Sequence, residues 1–421
     1  MVKAAGVRGG PIVRPFALGV VILAGVIAAC TQVNQPVRAL GSPAEDLAPP
    51  RCTVAGTARD DVLRGTPGDD TICGLKGNDV LIGLDGDDEL VGGGGSDAAF
   101  GGNGVDKLAG GPNIDFLDGG ADGDVLNGGT GDDRCQAQAD DVAESCSGPR
   151  RVPVIAAAGD ISCASDMETD EDSCWQEATS DLLVRGNAWA VLTLGDNQYL
   201  DGELAEFQRS YASSWGRVKA ITRPSPGNHD YHVPDARGYF AYFGPLAGQR
   251  GQGYYSFDVG RWHIIALNSN CDHVGGCDEG DPQEVWLRAD LEANPSECTL
   301  AYWHHARFSS GDHGNDDNTD AFWRALYEAG ADVVLSGHDH DYERFAPQDP
   351  DQHADPGGIR QFVVGTGGRS MDEFMAIPET NSQVRASTFG VLELTLRNGG
   401  YDWRFVDARG SFEDSGTGTC S

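Results

Sequence analysis

The chain has 421 residues with a formal net charge of −35, and 59 of its residues are glycine. This length predicts two domains, because single domains usually contain about 100 to 200 residues. The acidic balance argues against nucleic acid as a partner, since a polyanion is attracted to clustered Lys and Arg side chains rather than to carboxylates.

Residues 1–29 have the pattern of an export signal. Three cationic residues precede an apolar run from Phe16 to Ala29, which is short for a membrane span. The run ends before Cys30 in a sequence that resembles a bacterial lipoprotein box, which implies cleavage before Cys30, a lipid on its sulfur and a membrane anchor. An ordinary signal peptide and a retained membrane helix are the alternatives. Residues 30–51, with several prolines, are predicted to form a flexible tether.

A nine-residue repeat begins at Gly56 and continues to about residue 135. Glycine opens each unit and permits a tight turn, and the apolar residue at the eighth place of most units predicts a short strand that packs inside a coil. This pattern resembles the calcium-binding parallel β-roll of RTX, or haemolysin-type, repeats. Calcium prefers oxygen ligands, and the resemblance assigns it to the aspartate at the sixth place of each unit: Asp61, Asp70, Asp79, Asp88, Asp97, Asp106, Asp115, Asp124 and Asp133.

The repeat region is assigned to residues 52–148. We expect a calcium-stiffened stalk that is disordered without Ca²⁺, because its aspartates repel one another and its apolar stripe is thin. A disordered spacer rich in glycine and aspartate is the alternative. Asn113 and Asp122 replace the glycine of the fourth place, and Ala99 replaces a larger apolar residue of the eighth place. These departures predict weaker calcium binding in their turns.

The chain contains 11 cysteines. If Cys30 carries lipid, the other ten form an even set that suits an oxidising compartment. Sequence alone does not prove which cysteines pair. Pairing of near neighbours is the simplest prediction and joins Cys52 with Cys73, Cys135 with Cys146, Cys163 with Cys174, Cys271 with Cys277, and Cys298 with Cys420.

Residues 152–421 change to short buried strands that alternate with helices. Strands are predicted at 154–158, 190–194, 262–268, 299–303, 333–336 and 361–364, and helices near 175–185 and 204–211. Residues of ligand type follow several of these strands. Open α/β sheets place their sites at such strand ends.

The ligand-type residues lie in motifs: Gly159-Asp160, Gly195-Asp196-Asn197-Gln198-Tyr199, Gly227-Asn228-His229-Asp230, Trp303-His304-His305 and Gly337-His338-Asp339-His340. Carboxylate, imidazole and amide groups suit transition metals, and a carboxylate between two ions bridges them. Together the motifs resemble the calcineurin-like metallophosphoesterases. Tyr199, three residues after Asp196, and Ser162, where other branches carry a ligand histidine, favour the purple acid phosphatase-like branch.

This resemblance implies a fold and a set of ligands. The chain is predicted to be multidomain, with a calcium-binding parallel β-roll followed by an α/β metallophosphoesterase domain that is an αββα sandwich. Fe³⁺ is expected in the first metal position, because tyrosinate is a hard anionic ligand, and Zn²⁺, Mn²⁺ or Fe²⁺ in the second. The first ion is assigned to Asp160, Asp196, Tyr199 and His340, and the second to Asp196, Asn228, His304 and His338.

The resemblance also implies roles for two further histidines. His229, next to Asn228, is expected to stabilise the transition state or to protonate the leaving group. His313 is expected to contact the substrate. We interpret His305 as a neighbour of the ligands, and the remaining histidines as residues of the surface or core: His232, His263, His273 and His353.

The sequence therefore predicts an exported phosphatase of the bacterial cell envelope, lipid-anchored or secreted, that hydrolyses small phosphate monoesters by attack of a metal-bound hydroxide. A phosphodiesterase for cyclic nucleotides or phospholipid head groups is the alternative, because the rim loops of a shared fold set substrate choice. A non-catalytic, calcium-dependent surface module is a third interpretation, and the complete ligand set argues against it. The oligomeric state is left open.

Overall fold

The computed structural model describes residues 51–146 and 152–421. The export signal at 1–29, the lipidation site at Cys30 and nearly all of the tether lie outside the described residues. No helix in the described part of the chain is both long and apolar enough to cross a membrane.

Two parallel sheets face each other in the repeat region. Their strands are β1 (Val54–Ala55), β2 (Val62–Arg64), β3 (Thr71–Lys76), β4 (Val80–Asp85), β5 (Glu89–Gly94), β6 (Ala98–Asn103), β7 (Lys107–Pro112), β8 (Phe116–Ala121), β9 (Val125–Thr130), β10 (Arg134–Gln136) and β11 (Val142–Glu144). Odd-numbered strands form one sheet and even-numbered strands the other. Buried eighth-place side chains fill the space between the sheets, among them Ile72, Leu90 and Leu117. The predicted parallel β-roll is confirmed.

Asn113 and Asp122, two of the residues that replace glycine at the fourth place, keep the geometry of the roll. Asn113 and Asp122 have φ angles of +84° and +76°, in the left-handed region that glycine enters freely. Asn and Asp tolerate this region better than other residues with a side chain. The replaced glycines therefore leave the stacking of the turns intact.

Two mixed sheets form the second part of the chain. Their strands are β12 (Val154–Ala158), β13 (Ala190–Leu194), β14 (Thr222–Ser225), β15 (Tyr255–Val259), β16 (Trp262–Ala266), β17 (Cys298–His305), β18 (Val333–Gly337), β19 (Tyr342–Phe345), β20 (Arg360–Val364), β21 (Ser382–Ala386), β22 (Gly390–Arg397), β23 (Gly400–Asp407) and β24 (Glu413–Thr419). The first sheet has the order β14-β13-β12-β22-β23-β24, and the second β15-β16-β17-β18-β20-β19-β21. Strands β12 to β14 run parallel to one another, as do β16, β17, β18 and β20.

The helices lie on the outer faces of the paired sheets. They are α1 (Gln176–Arg185), α2 (Leu204–Glu206), α3 (Arg237–Phe243), α4 (Cys271–Val274), α5 (Pro282–Ala293) and α6 (Asp320–Glu328). The predicted helix near 204–211 is α2 followed by a π-helix at Phe207–Tyr211. Short 3₁₀ helices occupy Trp215–Ile221, Asp230–His232, Pro234–Ala236, Gly244–Ala247 and Asp317–Thr319.

Alternation along β17 shows how the layers pack. Leu300 and Tyr302 belong to the core between the two sheets, whereas Ala301 and Trp303 pack with Phe322 of α6 in a second core. Successive side chains of a strand point to opposite faces, so β17 is buried on both sides. This arrangement is the predicted αββα sandwich.

All five predicted disulfides are present, at Cys52–Cys73, Cys135–Cys146, Cys163–Cys174, Cys271–Cys277 and Cys298–Cys420. Four of them close short loops, and the last spans 122 residues. That bridge ties the C-terminus to the first residue of β17.

The stalk prediction is wrong, because the roll packs along the second part of the chain. Val80, Ala98 and Phe116 of the roll belong to the same buried core as Ile155 and Leu192 of the first sheet. The sequence pattern did not reveal this contact. An apolar residue in a strand of the roll can pack inside the roll or against a neighbouring domain, and its residue type does not distinguish the two.

Candidate metal centres

Five strands end at one place and bring the predicted ligands together. Asp160 follows β12, Asp196 follows β13, and Asn228 follows β14, while β17 and β18 come from the second sheet. The carboxyl ends of parallel strands meet at one edge of a sheet, where α/β folds place their sites. Strands β17 and β18 supply the three histidines His304, His338 and His340.

The hydroxyl of Tyr199 marks the first half of the centre. It donates a hydrogen bond to Asp196 Oδ2 at 2.8 Å or to Asp160 Oδ1 at 2.9 Å, and it lies 3.1 Å from His340 Nε2. His340 Nε2 is also 3.3 Å from Asp160 Oδ1. The four side chains assigned to the first ion therefore converge on one small volume.

His304 marks the second half. Its Nε2 lies 3.0 Å from Asn228 Oδ1 and 3.2 Å from His338 Nδ1. The same nitrogen is 3.4 Å from Asp196 Oδ2, the oxygen that Tyr199 also contacts. Asp196 thus lies between the two halves, which is the position required of a bridging carboxylate.

Three of the ligands have strained backbones. Asp160, Asp196 and His338 have φ angles of +59°, +46° and +74°, a region that costs a residue with a side chain about 1–3 kcal/mol. Glycine precedes each of them, and a Cβ on Gly195 would lie only 2.4 Å from His304 Nδ1. The glycines in the motifs are therefore needed for close approach, and the strain concentrates where the ligands are held.

Hydrogen bonds at the outer nitrogens orient two of the imidazoles. His304 Nδ1 donates to the carbonyl of Leu194 at 2.8 Å, and His340 Nδ1 lies 2.7 Å from Ser370 Oγ. Such outer partners fix the tautomer of a metal-binding histidine. Both rings consequently present Nε2 to the centre.

The electrostatics of the centre fit a pair of cations. Burial raises the pKa of Tyr199 well above its usual value, and Asp160 and Asp196 raise it further. Burial would lower the pKa of His304, but Asp196 outweighs it and raises this pKa to about 9. Burial and the charge of His304 lower the pKa of His338, which favours the neutral ligand form. The buried negative charges of the carboxylates are balanced by protons on the phenol and the imidazoles. Bound metal ions would balance the same charges.

His229 is oriented by the backbone beside the centre. Its Nδ1 donates to the carbonyl of Leu200 at 2.6 Å, and its Nε2 is 3.9 Å from Asp196 Oδ2. Its backbone N–H donates separately to Asp196 Oδ1 at 2.8 Å. His232, which the sequence analysis interpreted as a residue of the surface or core, has its ring 4.4 Å from that of His229 and therefore lies closer to the centre than expected.

The other two predicted neighbours also lie at the centre. The exposed ring of His313 stacks on His338 at 4.1 Å, and its backbone N–H donates to Asp339 Oδ1 at 2.7 Å. His305 Nδ1 lies 2.8 Å from Ser269 Oγ. Burial and the charge of His304 lower the pKa of His305 to about 3, so this imidazole is neutral.

Seven aspartates of the roll form a second set of buried carboxylates. One oxygen of each accepts the backbone N–H of the aspartate 18 residues earlier, as Asp115 does from Asp97 at 2.7 Å. The other oxygen is buried and has no hydrogen-bond partner among the described residues. Such orphaned oxygens beside tight glycine turns fit a hard cation such as Ca²⁺. The seven are Asp79, Asp88, Asp97, Asp106, Asp115, Asp124 and Asp133.

The first two aspartates of the roll differ from these seven. Thr57 donates to Asp61 Oδ2 from its backbone nitrogen at 2.7 Å and from its hydroxyl at 2.8 Å. Thr66 does the same for Asp70 at 2.7 and 2.8 Å. In these units threonine supplies the hydrogen bonds that the other carboxylates lack.

Comparison with known families gives a match in each of the two regions. Residues 153–342 match the calcineurin-like phosphoesterase family. Residues 53–81, 65–99, 74–108 and 100–135 match the RTX calcium-binding nonapeptide repeat. This chain carries RTX repeats and a calcineurin-like phosphoesterase domain. The fold of that domain implies a dinuclear metal site, and the repeats imply calcium.

Purple acid phosphatases are among the relatives of the phosphoesterase domain. Purple acid phosphatase 21 of Arabidopsis thaliana is 28% identical over 282 residues, which cover 61% of this chain and 60% of that protein. Acid phosphatase type 7 of Danio rerio is 26% identical over 264 residues, with 53% and 57% covered. The chain thus spans at most about three fifths of the length of these relatives.

A solved structure shows the same fold. Purple acid phosphatase PPD1 from yellow lupin seeds superimposes with a TM-score of 0.54 at 18% identity, over 64% of this chain and 54% of that chain. Because the identity is low, this likeness shows a shared fold and nothing further. The family match, the purple acid phosphatase relatives and this fold together confirm the predicted resemblance of the phosphoesterase domain.

Sequence reasoning missed the loop that closes over the first half of the centre. Ser370 contacts His340 Nδ1, and Asp372 Oδ2 accepts the backbone N–H of His340 at 3.3 Å. Arg369 places its guanidinium carbon 5.1 Å from the centre of the Tyr199 ring. The Gly365-Thr366-Gly367-Gly368 sequence just before these residues was the available signal.

We expect Asp115→Asn to remove calcium binding at its turn and Asp70→Asn to leave calcium binding unchanged. Asparagine at position 115 keeps the oxygen that accepts the backbone N–H of Asp97 and removes the oxygen that has no hydrogen bond among the described residues. In Asp70 the corresponding oxygen already accepts two hydrogen bonds from Thr66. Calcium at a free concentration of 100 times the Kd of a site stabilises the fold by about 2.7 kcal/mol. Calorimetric titration counts the ions, and circular dichroism follows the gain of β-structure. Equal calcium loss in both variants, or no β-gain in the wild type, would contradict this expectation.

Proposed function

We propose that this protein is a phosphatase that hydrolyses phosphate monoesters at a dinuclear metal site. The observation that carries the proposal is the convergence of Asp160, Asp196 and His340 on the hydroxyl of Tyr199, all within 3.1 Å. Fe³⁺ is proposed beside Tyr199, because phenolate is a hard anionic ligand, and Zn²⁺, Mn²⁺ or Fe²⁺ beside His304.

Two cations bound there would neutralise phosphoryl oxygens and activate water. The chain's own residues supply the remaining functions. His229 holds Nε2 toward the centre because Nδ1 is engaged by Leu200, so it is placed to give a proton to the leaving oxygen. His313 is exposed and stacked on His338, where a substrate entering from solvent meets it first.

Export and membrane anchoring through Cys30 are part of the proposal. The five disulfides support export, because such bridges persist in oxidising compartments outside the cytosol. Mass spectrometry of the mature protein tests the anchor. A lipid-modified Cys30 at the N-terminus is the expected result, and an unmodified Cys30 would rule the anchor out.

Turnover of p-nitrophenyl phosphate and of bis(p-nitrophenyl) phosphate by the metal-loaded protein tests the function. Faster hydrolysis of the monoester is expected, and a preference for the diester would replace the proposal by a phosphodiesterase. Metal analysis and an absorption spectrum of the same sample test the ions. About two transition-metal ions per chain with a visible tyrosinate band would support Fe³⁺ at Tyr199, whereas calcium alone would indicate a binding module.

A further inference from the structure

A cationic side chain without an anionic partner lies beside the proposed phosphate site. The guanidinium of Arg369 lies over the ring of Tyr199 at 5.1 Å, and the Tyr199 hydroxyl contacts Asp160 and Asp196. Within residues 51–146 and 152–421, no carboxylate or carbonyl oxygen accepts a hydrogen bond from this guanidinium. Its donors are therefore available to a ligand.

The backbone of Arg369 is fixed to the metal centre. Its N–H donates to the carbonyl of Asp160 at 2.9 Å, and its carbonyl accepts from Cys174 at 3.3 Å. The next residue, Ser370, contacts His340. The side chain thus begins from a position set by two of the ligands.

We propose that Arg369 binds the phosphoryl group of the substrate, an inference that rests on the proposed phosphatase function. A phosphate ester carries negative charge on several oxygens, and a guanidinium can bond two of them at once. Arg369 lies next to Tyr199 at the edge of the centre. From there it would orient the phosphoryl group without displacing the residues that are predicted to bind the metal ions.

Inhibition by inorganic phosphate and the KM for p-nitrophenyl phosphate test this role in the metal-loaded full chain. For Arg369→Met we expect the phosphate inhibition constant and KM to rise about 10- to 100-fold, since hydrogen bonds to charged groups contribute about 1.5–3 kcal/mol. Arg369→Lys should recover part of the loss. Metal content should stay at the wild-type level in both variants.

Arg409→Met is the matched control, because Arg409 also lies over an aromatic ring, that of Trp175 at 4.8 Å. It should change the phosphate constant less than about twofold. A wild-type phosphate constant in Arg369→Met with metal retained would overturn the proposal. If the wild type hydrolyses no phosphate ester, the proposed function fails, and calorimetry with inorganic phosphate still decides whether Arg369 binds the anion.

A second inference comes from a buried lysine between the two domains. Lys219 is 1% exposed, and its ammonium donates to the carbonyl of Asn78 in the roll at 2.8 Å. It lies 4.3 Å from the centre of the Tyr242 ring, and Tyr242 donates to Asp60 Oδ2 at 2.7 Å. Lysine is almost never fully buried unless it is paired, so its partners define its role.

The partners of Lys219 lie at one edge of the roll, which we call the inner edge. It consists of the turns of every second repeat unit, those that begin at Gly56, Gly74, Gly92, Gly110 and Gly128. Burial lowers the pKa of Lys219, and the negative charges of four carboxylates oppose this shift: Asp60, Asp79, Asp97 and Asp61. Asp79 and Asp97 are fully buried, and one oxygen of each has no hydrogen-bond partner in the part of the chain that the structure describes. An uncompensated buried charge is strongly destabilising, so the ammonium offsets repulsion among these turns.

We infer that Lys219 supplies the positive charge that the first inner-edge turns would otherwise take from calcium. The phosphoesterase domain thereby keeps this end of the roll folded when calcium is withdrawn. The 3₁₀ helix that carries Lys219, Trp215–Ile221, leads directly into β14 and so to Asn228. The same contact therefore supports the strand that presents a predicted metal ligand.

Hydrogen exchange of the full chain after calcium chelation tests this inference. Amides of residues 78–98 should remain protected in the wild type. In Lys219→Met they should exchange at least about tenfold faster, which corresponds to about 1.4 kcal/mol of opening free energy. Added calcium should restore part of the protection, because the vacated carboxylates can then bind it.

Lys107→Met is the control, because Lys107 is an exposed lysine on strand β7 of the same roll. It should leave the protection of residues 78–98 unchanged. Equal exchange in Lys219→Met and the wild type would overturn the inference. So would loss of protection in the wild type on chelation, an outcome that decides the question even if Lys219→Met fails to fold.

Discussion

Replacing Asp196 with alanine is expected to remove both transition-metal ions and to lower turnover by about 10³-fold or more. Asp196 Oδ2 lies 2.8 Å from the Tyr199 hydroxyl and 3.4 Å from His304 Nε2, so one side chain serves both halves of the centre. Loss of about 4 kcal/mol of transition-state stabilisation corresponds to roughly 10³-fold in rate. Elemental analysis and turnover of p-nitrophenyl phosphate on the same samples provide the measurement.

Two controls separate loss of metal from loss of fold. Asp272→Ala removes an exposed carboxylate of α4 and should keep both metal content and turnover. Near-ultraviolet circular dichroism of Asp196→Ala should keep the wild-type shape, because the substitution leaves every apolar side chain of the two cores in place. Retention of two metal ions in Asp196→Ala would show that Asp196 does not bridge them.

The side chains that converge at the candidate metal centre could be predicted from sequence because their signals are local. Apolar runs bounded by Gly-Asp gave β12 and β13 with the bounds that the structure shows, 154–158 and 190–194. Each glycine of the motifs relieves a specific close contact, as Gly195 does against His304. Residue type, spacing and strand end therefore carry most of the information about this site.

The features that escaped prediction depend on contacts between distant segments. The Ser96 hydroxyl donates to the carbonyl of Arg217 at 2.7 Å across a separation of 121 residues, and no local pattern marks such a pair. Strands β22 and β23 are different, because apolar and polar residues alternate along both of them, and this period of two was a local signal that the prediction did not use. Arg369 directly follows the Gly365-Thr366-Gly367-Gly368 sequence, but only the structure shows that its side chain lies over Tyr199.

The threonine caps show a similar limit in the roll. The sequence analysis assigned calcium to Asp61 and Asp70 by register alone. Thr57 and Thr66 occupy the second place of their units and satisfy those carboxylates directly. A threonine at the second place can therefore satisfy the carboxylate oxygen in place of a cation while the repeat stays in register.

His229→Ala is expected to lower kcat by about 10²- to 10⁴-fold while both metal ions are retained, the range typical of general acid catalysis. The substitution leaves the backbone N–H that donates to Asp196 Oδ1 at 2.8 Å, so the carboxylate that is proposed to bridge the ions keeps this hydrogen bond. The imidazole alone is lost, together with its bond to Leu200. Turnover and elemental analysis of the purified variant provide the measurement.

The dependence on leaving group distinguishes proton donation from simple charge stabilisation. A good leaving group such as p-nitrophenolate needs little protonation, so His229→Ala should slow an alkyl phosphate more than p-nitrophenyl phosphate. His232→Ala is the matched control, because His232 contacts the same Leu200 carbonyl at 3.0 Å but lies farther out, and it should cost less than about tenfold. If His229→Ala lowers turnover of both substrates equally, His229 stabilises the charge of the phosphoryl group instead of donating a proton. If His232→Ala lowers turnover as much as His229→Ala does, the two histidines act as a unit.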